Sequence, residues 1–119
     1  MFRPEQILQQ QVVAYLKVAA PGLIFFHVPN GGARTKTEAA ILKSMGVRSG
    51  VADLAFILTG ARIGFIELKA ANGTATPAQK VFRADCELQG VPFAECRTLP
   101  EVQGTLAGWG VSLRGRIAA

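Results

Sequence analysis

The chain has 119 residues, half of them apolar, and its 13 basic and 8 acidic side chains give a formal charge of +5. That length fits one domain over residues 1–119, large enough to bury somewhat under ~70% of its unfolded surface. No apolar run approaches a membrane span and Met1-Phe-Arg-Pro-Glu5 is no secretory leader, so a soluble, cytoplasmic protein without a membrane partner is expected. The basic balance suits a polyanionic partner, through non-specific attraction.

Pro4 is a favoured first helical position, and Leu8, Val12, Tyr15, Leu16 and Ala19 form an apolar stripe. A helix from Pro4 to about Ala19 is predicted, closed by Pro21-Gly22. Glu5 shares the face of Leu8, Val12 and Leu16; a first-turn Glu favouring the helix dipole is the alternative. Leu23–Val28 reads as a buried strand and Pro29–Ala33 as a loop. Thr35 and Glu38 have the spacing of a capping box, for a helix ending at Gly46. Asp53–Thr59 and Arg62–Lys69, joined at Gly60-Ala61, form a hairpin. Thr76-Pro77-Ala78-Gln79 is a second capping box, opening a helix to about Gln89-Gly90. A strand over Val91–Arg97 and a last helix from Thr98 to about Gly108 follow. The tail 109–119 reads as loosely structured, with Trp109, Val111 and Leu113 able to dock. The order αβαββαβα implies an α/β fold around a mixed sheet flanked by helices. Cys86 and Cys96 have no metal-type spacing and read as buried thiols.

Alternation along the second hairpin strand sends Phe65, Glu67 and Lys69 to one face and Ile66 and Leu68 to the other. Charges among buried-type residues are costly unless paired or bound to metal. With Asp53 opening the neighbouring strand, two carboxylates and a lysine meet at adjacent strand ends. That is the layout needed to hold a divalent cation and a lysine beside a scissile phosphate. A surface Glu67–Lys69 pair, worth about 0–1 kcal/mol, is the plain alternative. Gln79 is explained by its cap alone; a place near the active centre is the second reading. His27 and Asn30 flank a strand end before Gly31-Gly32, without the spacing of a phosphate-binding loop, and a structural role competes with a substrate contact. Arg34, Lys36, Lys43, Arg48, Lys80 and Arg83 would surround the acidic pocket with a basic rim.

Gly50-Val-Ala-Asp53 followed by Ile66-Glu-Leu-Lys69 resembles the PD-(D/E)XK nuclease core. Together with Glu5, His27–Gly32, Gly46–Asp53 and Thr76–Lys80, the sequence is similar to the VRR-NUC (virus-type replication-repair nuclease) branch in its stand-alone phage or prophage form, over residues 5–106. One departure is Ala52, where that family usually has Pro, whose ring would fix φ before Asp53. The resemblance implies a restriction-endonuclease-like core in a bacterial or phage-infected cell. It implies Mg²⁺ or Mn²⁺ held by Asp53, Glu67, the Leu68 backbone carbonyl and Glu5, directly or through water, and no organic cofactor. Catalytic roles fall to Glu5, Asp53, Glu67, Lys69 and Gln79, and DNA contacts to His27, Asn30, Arg34, Lys36, Lys43, Arg48 and Lys80. It further implies a homodimer cleaving branched DNA such as four-way (Holliday) junctions. An end-trimming or restriction-like nuclease of the same fold and a non-catalytic DNA-binding module are the alternatives.

Overall fold

Among the described residues eight elements follow one another in the expected order. They are α1 (Pro4–Ala19), β1 (Ile24–His27), α2 (Lys36–Ser44), β2 (Leu54–Leu58), β3 (Arg62–Leu68), α3 (Pro77–Leu88), β4 (Phe93–Cys96) and α4 (Leu99–Gly108). They come from a computed structural model that describes residues 3–29 and 35–115. The strands form one sheet in the order β1-β2-β3-β4, antiparallel except for the parallel pair β3/β4. A parallel pair needs a crossover, and α3 supplies it.

Strand alternation divides the apolar residues between two layers. Leu54, Phe56, Leu58, Ile66, Leu68 and Cys96 pack against Val12 and Leu16 of α1 and Val102 and Leu106 of α4. Fully burying a side chain such as Phe56 contributes about 1.5–3 kcal/mol. On the other face Phe65 and Phe93 meet Phe82 of α3, with ring centroids 5.0 and 6.1 Å apart, beside Ala52 and Cys86. Both cysteines are buried and free. The β1/β2 half of this second face is only partly covered: Ile24, Phe26 and Ile57 are exposed, and α2 has no buried residue.

The hairpin turn places Gly60 at φ +80° and Ala61 at φ +58°, the second a conformation that a β-carbon disfavours. The described part of the tail, residues 109–115, docks more firmly than its sequence suggests. Trp109 lies edge-on to Phe56 and fills the space above Gly64, where a β-carbon would come within 2.7 Å of the indole. Arg62 donates to the Trp109 carbonyl, Val111 and Leu113 join the core, and Arg114 N–H donates to Ala19 O. Among the described residues no helix is long and apolar enough to cross a membrane.

Candidate active site

Asp53 sits just before β2, where three contacts fix it. Its carbonyl accepts from Val28 N at 3.0 Å and from His27 Nδ1 at 2.8 Å, so the end of β1 holds its backbone. Its carboxylate Oδ2 accepts the Leu68 N–H at 2.7 Å. The last β2/β3 pair is Leu54 with Ile66, so the Asp53 side chain stands in for the next rung of the ladder. That brings it beside Glu67.

Glu67 and Lys69 point away from the main core, as alternation requires, and are only 3% and 4% exposed. Lys69 Nζ lies 3.3 Å from Glu67 Oε2. Gln79, in the first turn of α3, joins them: its Nε2 donates to Glu67 Oε2 at 2.9 Å and its Oε1 accepts from Lys69 Nζ at 2.6 Å. The same Oε1 accepts from Thr76 N–H at 2.9 Å, while Thr76 Oγ1 accepts from Gln79 N–H. One amide thus completes the α3 cap and bridges Glu67 and Lys69. The surface-pair alternative for Glu67 and Lys69 is overturned by their burial.

Burial pushes the Glu67 carboxyl up to about 8, and the neighbouring Asp53 charge adds to the rise, with Lys69 only partly offsetting it. Glu67 Oε1 is buried without a hydrogen-bond donor. An ionised acceptor so placed is costly, and a cation beside two carboxylates would satisfy it. The donor set, all hard oxygens, fits Mg²⁺ or Mn²⁺. Asp53, Glu67 and Gln79 line a cavity of about 360 Å³ together with Glu5, Gly50 and Thr76, and Lys69 lies behind that wall.

Two solved structures share this arrangement of elements. One, named "VRR_NUC domain protein", matches with a TM-score of 0.72 and 26% identity over 92% of this chain and 89% of the other. In fold, and at that identity in sequence, the chain is similar to VRR-NUC domain proteins. A second, "VRR_NUC domain", has a TM-score of 0.64 at 18% identity over 91% and 99% of the two chains, which speaks for the fold. No protein-family model and no curated protein matches the sequence. The fold is thus the PD-(D/E)XK-like α/β type of a nuclease domain.

The remaining candidates spread out. Glu5 is exposed at the cavity mouth, and a β-carbon on Gly73 would come 3.1 Å from its Oε1. Among the described residues no three Asp, Glu, His or Cys side chains lie close enough to hold one ion, so Glu5 does not complete a three-carboxylate cluster. His27 is exposed and oriented by Asp53. Lys36 and Lys43 lie on the exposed helix α2. Arg48 is tied to α3: it pairs with Asp85 at 2.5 Å and stacks 5.1 Å over Phe82. Lys80 is exposed beside Arg83 at a second cavity of about 360 Å³ that shares Glu67 and Gln79. Asn30 and Arg34 fall outside the described residues.

Two contributors escaped the sequence reading. Gly50 touches the first turn of α3 directly, and its place in the Gly50–Asp53 motif was the available signal. Arg97 donates to the carbonyls of Ala70 and Ala71 at 2.6 and 3.2 Å and pairs with Glu95, pinning the loop after Lys69. Glu95 stands in register with Glu67, and an Arg two residues further along that strand was its only hint.

Proposed function

We propose that this chain is a VRR-NUC domain acting as a metal-dependent DNA endonuclease, hydrolysing phosphodiester bonds as a homodimer on branched DNA such as four-way junctions. The observation that carries the hydrolytic part is the buried, donor-less Glu67 Oε1 of a carboxylate that faces Asp53, with Lys69 held 3.3 Å from its other oxygen. Mg²⁺ or Mn²⁺ between Asp53 and Glu67, with the Leu68 carbonyl and a water bridge to Glu5, would supply Lewis acidity and neutralise charge on the leaving oxygen.

The chain's own groups do the rest. Leu68 N–H holds the Asp53 carboxylate in one orientation, leaving its other oxygen for the cation. Gln79 holds Glu67 and Lys69 at fixed separation, so neither side chain has to be ordered when substrate arrives. Lys69, with its ammonium beside the metal seat, donates to a non-bridging phosphoryl oxygen or to the attacking water as negative charge develops. Its burial strengthens that interaction, because little water competes.

Assembly and substrate rest on different features. The uncovered apolar side chains Ile24, Phe26 and Ile57, with Ile41 on the unburied helix α2, offer a surface for a second copy. A two-fold axis would then set two sites against opposing strands. Exposed Lys36 and Lys43 would hold the arms through phosphates. Light scattering, together with competition among linear, flapped, forked and four-way DNA, tests this part. A dimer preferring the junction supports it. A monomer that cuts all four equally leaves an end-trimming or restriction-like nuclease of the same fold.

A further inference from the structure

Helix α1 carries two stripes. Leu8, Val12 and Leu16 face the core. Arg3, Gln6, Gln10, Val13 and Lys17 recur at alternating three- and four-residue steps and so line up on another face. Along that second face runs a groove of about 930 Å³, lined also by His27 and Asp53. Asp53 and Glu5 line both this groove and the smaller cavity holding Glu67 and Gln79, so the two adjoin at those carboxylates.

We infer that the groove along α1 is the track of one DNA strand entering the active site, with Arg3 and Lys17 on phosphates and the Gln6 and Gln10 amides on phosphate or sugar oxygens. The inference rests on the nuclease reading above. Its chemistry is matched to its position. Glutamine amides donate hydrogen bonds without bringing charge, and the two cations sit at the two ends of the stripe. From Arg3 to Lys17 the helix rises roughly 21 Å, the length of about six steps of one strand. His27 has its Nδ1 committed to the Asp53 carbonyl, so the ring is held rigidly where the groove meets the site. A merely solvated helix face would be convex and open; this one is walled by a neighbouring strand end.

The rival exit is the cavity beside Lys80, Arg83 and Arg97, on the other side of Glu67. Fluorescence anisotropy of a labelled duplex and a labelled four-way junction in Ca²⁺, over a range of salt, separates the two, with kcat/KM measured in Mg²⁺. Gln6→Ala/Gln10→Ala should weaken binding about ten-fold without changing the salt dependence, because neutral contacts release no counterions. Arg3→Ala/Lys17→Ala should make the slope of log K against log salt shallower by about 1.4–1.8, two phosphate contacts' worth. Lys80→Ala/Arg83→Ala is the comparison. A wild type that cleaves while both α1 variants bind and cleave as it does, or a loss confined to the Lys80/Arg83 variant, overturns the groove and leaves the nuclease standing. A wild type that neither binds nor cleaves DNA removes both.

Discussion

Gly50 lies so close to Ala78 that a β-carbon on it would come within 2.4 Å of the Ala78 carbonyl carbon and oxygen, and 2.7 Å of Gln79 N. Its φ of +80° is also one that L side chains rarely adopt. The contact sets the distance between the segment leading to Asp53 and the helix turn that carries Gln79. One residue without a side chain thereby fixes where two sides of the site meet.

Gly50→Ala should therefore destabilise the protein by about 2–5 kcal/mol, from backbone strain and overpacking together. Gly90, at φ +71° with open space around it, provides the comparison. Gly90→Ala should cost only the strain, about 1–2 kcal/mol. Denaturant unfolding of the two variants measures the difference, and equal losses would show that the contact with α3 contributes nothing.

Gln79 and Thr76 share a cap but not a role in the site. Thr76→Ala should lower stability by about 0.5–2 kcal/mol, the range for a lost cap. Gln79→Ala should do likewise and also slow cleavage far more, since Glu67 and Lys69 lose the amide between them. Single-turnover rates beside melting curves separate the two effects. Equal slowing in both variants would reduce Gln79 to a helix cap.

At Lys69, catalysis and affinity should come apart. Lys69→Ala should cut the cleavage rate by roughly 10²–10³, the scale of one lost transition-state donor. DNA affinity in Ca²⁺ should change little, because Lys69 is buried and not a rim cation. Normal cleavage with poor binding would make it a phosphate anchor instead.

The Glu67 carboxyl gives a signature in the metal-free protein. Its folded pKa of about 8 lies above the ordinary 4.5. Between those values the folded chain keeps a proton that the unfolded chain has released, so stability falls as pH rises through that window and levels off above it. Glu67→Gln should flatten this profile and raise the melting temperature at pH 8 to 9 by on the order of 5 °C or more. Calorimetry in EDTA across pH checks it; parallel profiles for the two proteins would mean that Glu67 ionises freely.

The elements were legible because their signals are local. Pro4 with the Leu8–Val12–Leu16 stripe marks α1, and Thr76-Pro77-Ala78-Gln79 marks the start of α3. Asp53, Glu67 and Lys69 were legible as well, because costly charges in apolar strands demand a partner. What stayed hidden depends on pairs far apart in the chain. Gly50 against Ala78, Arg48 with Asp85, and Trp109 above Gly64 join residues that no periodicity connects. Glu5 shows the limit of a helical stripe: its phase is that of the core, but it lies beyond the core's edge, at the cavity mouth.

Cleavage of DNA with and without divalent metal, by the wild type and by Asp53→Asn and Glu67→Gln, tests the central claim most directly. Each substitution removes a ligand charge while keeping its shape, and unfolding curves verify the fold. The account predicts cleavage by the wild type in Mg²⁺ or Mn²⁺, none in EDTA, and none by either folded variant. Full activity in EDTA, or in either variant, would contradict it.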